Sequence, residues 1–279
     1  MKTALPQHRS APAAGHDLRE INSVRRRWPA LRAVGALILR EMTTTYGRSA
    51  GGYLWAVLEP VAGIALLVFI FSLVMRTPPM GTNFAIFYAT GFIPFMYYMN
   101  LAQKIADSIR YSSRLLAYPA VTFVDAMVAR LLLNMVTQLL VAYIVLAGIV
   151  LVTDTRTDPQ IGPIALGFLM ATVLAAGVGA MNCFLGTAFP TWNKIWGVLN
   201  RPMFIVSCII FVFDSVPQPF RDWLWFNPLI HVVGQVRHGF YPGYAGSYIS
   251  PVYVFAVGIA LLTIGLALLT RYHRDLMDS

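Results

Sequence analysis

The chain has 279 residues, of which 57% are apolar and only 12% charged, against roughly a quarter charged in an ordinary soluble domain. That balance excludes a disordered chain and a typical soluble enzyme, and two cysteines, Cys183 and Cys208, both inside apolar runs, exclude a disulfide framework. A net charge of +9 raises nucleic acid as a partner, but the placement of the basic residues points to a membrane instead.

Residues 1–30 carry Arg9, Arg19, Arg25, Arg26 and Arg27 with no apolar stretch before Ala30, so they read as a polar tail rather than a signal peptide. Residues 31–46 then follow a helical period. Leu31, Val34, Gly35, Ile38, Leu39, Met42 and Tyr46 share one face, and Arg32, Arg40, Glu41, Thr43 and Thr44 the other, with Leu37 the exception. This predicts an amphipathic helix along the cytoplasmic membrane surface. Its exposed charges, Arg40, Glu41 and the following Arg48, serve either a docking role or passive anchoring. Gly47 to Gly51 matches G-x-S-x-G around Ser49, but that pattern marks a nucleophile only between a strand and a helix of an α/β sheet. Here an amphipathic helix precedes it and a span follows, so its glycines make the turn into the membrane.

A bilayer core takes about 20 apolar helical residues to cross. Six stretches qualify: 53–75, 84–102, 121–152, 164–189, 195–213 and 252–270. With the first segment cytoplasmic, 17 Lys and Arg fall inside and four fall outside, namely Arg76, Arg156, Arg221 and Arg237. Those four face Asp154, Asp158, Asp214 and Asp222, so the whole positive balance is cytoplasmic, as the positive-inside rule requires. The fold class is therefore an all-α integral membrane protein: six transmembrane helices over 53–270, a cytoplasmic amphipathic interface helix and turn over 31–52, and cytoplasmic tails at 1–30 and 271–279.

Within this frame four segments are not plain spans. Glu59-Pro60 sits early in the first span, where proline frees a backbone carbonyl; Glu59 is too isolated there to be given a chemical role. The segment 108–120, with Arg110, Tyr111, Ser112, Ser113, Arg114, Tyr118 and Pro119, is short, cytoplasmic and closed by proline. It is either an ordinary loop or a rigid element that transmits force from a soluble partner. In the third span Arg130, Asn134 and Gln138 recur at i, i+4 and i+8 on one face, which should meet protein or water rather than lipid. They form either interhelical hydrogen bonds or the wall of a polar pathway. Residues 214–246, rich in proline and aromatics, predict two short helices dipping into the outer half of the membrane, or an interfacial aromatic belt.

Nucleotide chemistry is missing from the sequence. The lysines are Lys2, Lys104 and Lys194, none after a glycine, so no phosphate-binding loop exists. The histidines show no metal-ligand spacing, and no span holds the closely placed carboxylates of a proton relay. If the chain moves something actively, the energy comes from elsewhere, and a secondary transporter is the weaker reading.

The order of these features resembles the membrane-spanning permease of bacterial ABC exporters for capsular polysaccharide. The resemblance is carried by LREMTTTYGRSAGGYLWAVLEP (39–60), FSLVMRTPPMGTNFAIFYATGFIPFMYY (71–98) and NPLIHVVGQVRHGFYPGY (227–244), and it covers nearly everything after residue 30. Permeases for O-antigen and teichoic acid share the architecture. The resemblance implies a homodimer paired with two copies of a separate ATPase that carries the ATP and Mg. It implies that the region of 110–119 is the ATPase-coupling segment, that 214–246 holds re-entrant outer helices, and that the cargo is a lipid-linked polysaccharide delivered to periplasmic and outer-membrane partners. A hydrated polymer suits an uncharged polar-aromatic path. The candidate lining residues are Tyr53, Trp55, Tyr88, Phe92, Tyr97 and Tyr98, each ring fitting a packed core or an interfacial belt as well as a pathway, with Arg130, Asn134 and Gln138. Arg40, Arg48 and Arg114 stand near the cytoplasmic mouth, to meet an anionic lipid terminus, the ATPase or lipid headgroups.

Overall fold

The computed structural model describes residues 29–45, 52–116 and 122–277; for 29–31, 43–45, 52–53, 113–116 and 273–277 only the backbone is described. Among these residues there are helices and no strand. In chain order they are α1 (Pro29–Thr45), α2 (Gly52–Val74), α3 (Phe84–Ala106), α4 (Ser108–Leu116), α5 (Phe123–Val152), α6 (Ile161–Ala188), α7 (Trp192–Val206), α8 (Phe220–Trp225), α9 (Pro228–Phe240) and α10 (Pro251–Met277). Four of them, α2, α5, α6 and α10, are long and apolar enough to cross a membrane.

Local chemistry sets several ends. Asn83 accepts from the Ala85 amide at 2.8 Å and starts α3. At α5, Thr122 accepts from the Asp125 amide while Asp125 accepts from the Thr122 amide, a reciprocal capping box.

The core is built on α3 and α6. Most of α3 is buried, including Phe87, Tyr88, Tyr97 and Leu101. Its aromatic and polar content is why it is not among the four apolar spans: it is wrapped by protein instead of lipid. Small residues on α6 allow close approach on two sides. A Cβ on Gly179 would stand 2.7 Å from Ile105 Cβ of α3, and one on Gly258 of α10 would stand 2.9 Å from the Val173 carbonyl oxygen of α6.

One expected span takes a different form. The stretch 195–213 is mostly apolar, with Asn200 and Arg201 inside it, but α7 ends at Val206, and Cys208 turns with a φ of 57°. The residues that follow are held in non-helical form by Arg237. Hydropathy alone reads this apolar run as one helix because it registers burial and not the backbone. Residues 214–246 contain two short helices, α8 and α9, as the spacing of prolines predicts. Almost all of α9 is buried in protein.

Candidate functional site: a helix junction, a polar cavity and an arginine cage

Three helices meet at Arg130. α1 packs on α5 through Val34 and Leu37 against Ala126 and Ala129. The same stripe of α1 continues one turn to Glu41, which is buried and accepts from Arg130 Nε at 3.1 Å. Arg130 also lies 4.3 Å over the ring of Tyr111 on α4, and Arg40 of α1 reaches the same ring at 5.8 Å. Glu41 therefore departs from its expected place on an exposed docking face. α1 rests on α5 rather than on lipid along the 34/37/41 stripe, and Leu37, the exception in the amphipathic pattern, is part of that contact. Leu39 and Met42, expected on the apolar face, are exposed. Burial of an ion pair is tolerated because each partner is charged and opposed.

The segment expected to be a loop or a transmitting element is a helix over Ser108–Leu116. A single residue, Asp107, separates it from α3, and Arg110 pairs with that aspartate. Ser112 is buried, and Ser108 Oγ sits 3.6 Å from Cys183 Sγ of α6. Arg110 is exposed. α4 is thus fixed to the bundle on one side and open on the other. Arg48, Tyr118 and Pro119 lie outside the described residues, and Ser113, Arg114 and Tyr53 are described by backbone alone.

The expected channel-lining residues separate into two groups. Tyr88, Tyr97 and Tyr98 are core rings; Tyr97 bonds Thr172 at 2.7 Å, and Tyr88 packs among Phe71, Phe84 and Phe87. They are enclosed by the chain's own helices, because α3 is central and not peripheral. Trp55 is exposed, and Phe92 is half-buried with its ring against Phe204 of α7. The stripe on α5 also divides. Arg130 belongs to the junction, Asn134 donates to the Arg130 carbonyl at 2.8 Å, and Gln138 faces a cavity. That cavity is shared with Glu59, Asn100 and Tyr97. Sequence reasoning left Glu59 isolated and passed over Asn100; the signal for the latter was the one amide side chain inside the apolar stretch 84–102.

Arg237 was missed as a structural centre. It is 1% exposed, with no salt bridge to it among the described residues. Nη1 donates to the Cys208 and Phe211 carbonyls at 2.8 and 2.9 Å, and Nη2 to Ile209 at 2.7 Å. The guanidinium lies 4.4 Å over Phe87. Asn227, at the start of α9, donates to the Val206 carbonyl at 3.1 Å. The carbonyls released where α7 stops are thus taken by α9, and their partial negative charge offsets the cation. The signal was available: an arginine with an apolar flank and no acid near it in sequence.

A chain of long apolar helices, with no nucleotide loop in its sequence, has the form of a transporter's membrane subunit. The chain belongs to the ABC-2 type transporter family, whose signature matches residues 32–241. It is 34% identical to the polysialic acid transport protein KpsM of Escherichia coli, over 88% of this chain and 95% of that protein. It is 25% identical to the capsule polysaccharide export inner-membrane protein CtrC of Neisseria meningitidis, over 87% and 92%. It is 23% identical to the O-antigen export system permease protein RfbA of Klebsiella pneumoniae, over 83% and 88%.

Proposed function

We propose that this chain is the permease subunit of an ATP-driven exporter that moves lipid-linked capsular polysaccharide from the cytoplasm across the inner membrane. The observation that carries this reading is near full-length similarity to capsule export proteins of separate organisms. In the proposed assembly two copies of the chain pair with two copies of a separate ATPase, which binds the ATP and Mg. All six expected spans are membrane-embedded, including the aromatic α3 and the short α7. α1 lies at the cytoplasmic interface, both termini are cytoplasmic, and α8 and α9 re-enter from the outer side. The 17-to-4 distribution of basic residues supports this orientation. α7 has no buried residue within one subunit, and α2 exposes Leu54, Trp55 and Leu58, which supports these two helices as surfaces toward a second copy.

α4 is the proposed coupling helix. Arg110 and the rest of its exposed side face the ATPase, and Tyr111, whose ring lies under Arg130, passes its movement to α5 and α1. Closure of two ATPase subunits biases a two-state arrangement of spans and opens a path between the two copies. The chain has no catalytic part in ATP hydrolysis. Deletion in the source bacterium is expected to remove surface capsule and leave polymer in the cell, with O-antigen intact. The likeness to the O-antigen permease supplies the second reading; deletion that removes O-antigen and spares capsule would establish it.

A further inference from the structure

A cavity of about 60 Å³ between α2, α3 and α5 belongs to neither the junction nor the arginine cage. It is well above the roughly 10–15 Å³ that admits one water. Glu59 of α2, Asn100 of α3 and Gln138 of α5 face it. Pro60 has no amide hydrogen to give, which frees the carbonyl of Ala56, another lining residue. Glu59 is seven residues into α2 and Asn100 six from the end of α3, about 10 Å of helical rise in each. Their side chains make no hydrogen bond to protein among the described residues, nor does Gln138.

Three polar groups from three helices at membrane depth are costly unless something meets them. The donor and acceptor pattern restricts what that is. A carboxylate accepts, and each amide both donates and accepts. An anion is repelled by Glu59. A bare cation would use the oxygens and leave both amide NH2 groups idle. A hydroxyl, which donates and accepts, matches all three. The ring of Tyr97 lines the same cavity while its hydroxyl is engaged by Thr172, so it offers apolar surface to a C–H face. Glu59 is exposed, so the cavity opens at the surface of α2.

We infer that Glu59, Asn100 and Gln138 form a subsite that binds hydroxyl groups of the sugar polymer as it passes. This rests on the polysaccharide reading above. The cavity takes a hydroxyl or hydroxymethyl group at a time and not a whole ring, so it holds successive sugars weakly, as a conduit must.

The test is made in cells that export the polymer, with membrane abundance and ATPase co-purification measured for every variant. Glu59→Gln keeps the acceptor and is expected to export within about twofold of the parent. Glu59→Leu, Asn100→Leu and Gln138→Leu are expected to lose about tenfold. Normal export in the three leucine variants overturns the subsite. Export that falls as far in Glu59→Gln as in Glu59→Leu overturns the hydroxyl assignment, because a cation site would need the charge. A photoreactive benzoylphenylalanine in place of Glu59 gives a readout independent of folding defects in the leucine series. Illumination is expected to yield an adduct that stains for polysaccharide, and an adduct with phospholipid alone overturns the proposal. Failure of the polysaccharide reading looks different: cells lacking the chain would still display their capsule.

Discussion

At the scale of single residues, two arginines do unlike work with the same chemistry. Arg237 holds three carbonyls where α7 stops. Arg237→Leu leaves them without a donor. A hydrogen bond to a charged group is worth about 1.5–3 kcal/mol in soluble proteins and less in membranes, so a total loss of about 3 kcal/mol is expected. The midpoint of detergent-induced unfolding measures it, and Arg237→Lys should recover part of the loss, since lysine lacks the planar fork. Arg130 instead joins three helices. Tyr111→Phe keeps the ring beneath its guanidinium and should retain more export than Tyr111→Leu. Tyr111→Leu removes a cation–π contact worth about 1 kcal/mol, and export should fall roughly fivefold. The Arg130 stripe was legible from its i, i+4, i+8 spacing. Its partner was not, because Glu41 is distant in the chain and its own helix marks it as polar.

At the scale of elements, helix packing explains which expectations the structure met. The α6–α10 contact depends on glycine: a Cβ at Gly265 would stand 2.8 Å from the Ala180 carbonyl carbon, backbone that has no rotamer to change. Gly265→Ala should therefore destabilise by about 1–3 kcal/mol, read as a lower unfolding midpoint with unchanged helicity. In α4, Ser112 is buried in mid-helix, so Ser112→Pro breaks the proposed coupling element. It should abolish export while the protein remains in the membrane; normal capsule in that variant would contradict the coupling role. The long apolar helices α2, α5, α6 and α10 were legible because continuous hydropathy and length carry the signal. The break after α7 was not, since residues 208–213 are apolar whether helical or turned, and what turns them is an arginine nearly thirty positions away. The enclosure of Tyr88, Tyr97 and Tyr98 was likewise hidden: an aromatic helix looks alike from sequence whether it lines a path or fills a core.

At the scale of the whole molecule, the proposed assembly has a separate chain supply the nucleotide site that this sequence lacks. Family membership rests on the match over residues 32–241. The proposed assembly adds the second copy and the ATPase, whose docking converts hydrolysis into movement of α4 and, through Tyr111 and Arg130, of α1 and α5. The most direct test is purification of the tagged chain from native membranes in mild detergent, with its associated proteins identified and ATP hydrolysis assayed. The account predicts a separate ATPase in equal amount with this chain and vanadate-sensitive turnover. A chain that purifies alone, with no ATP hydrolysis in the preparation, would contradict it.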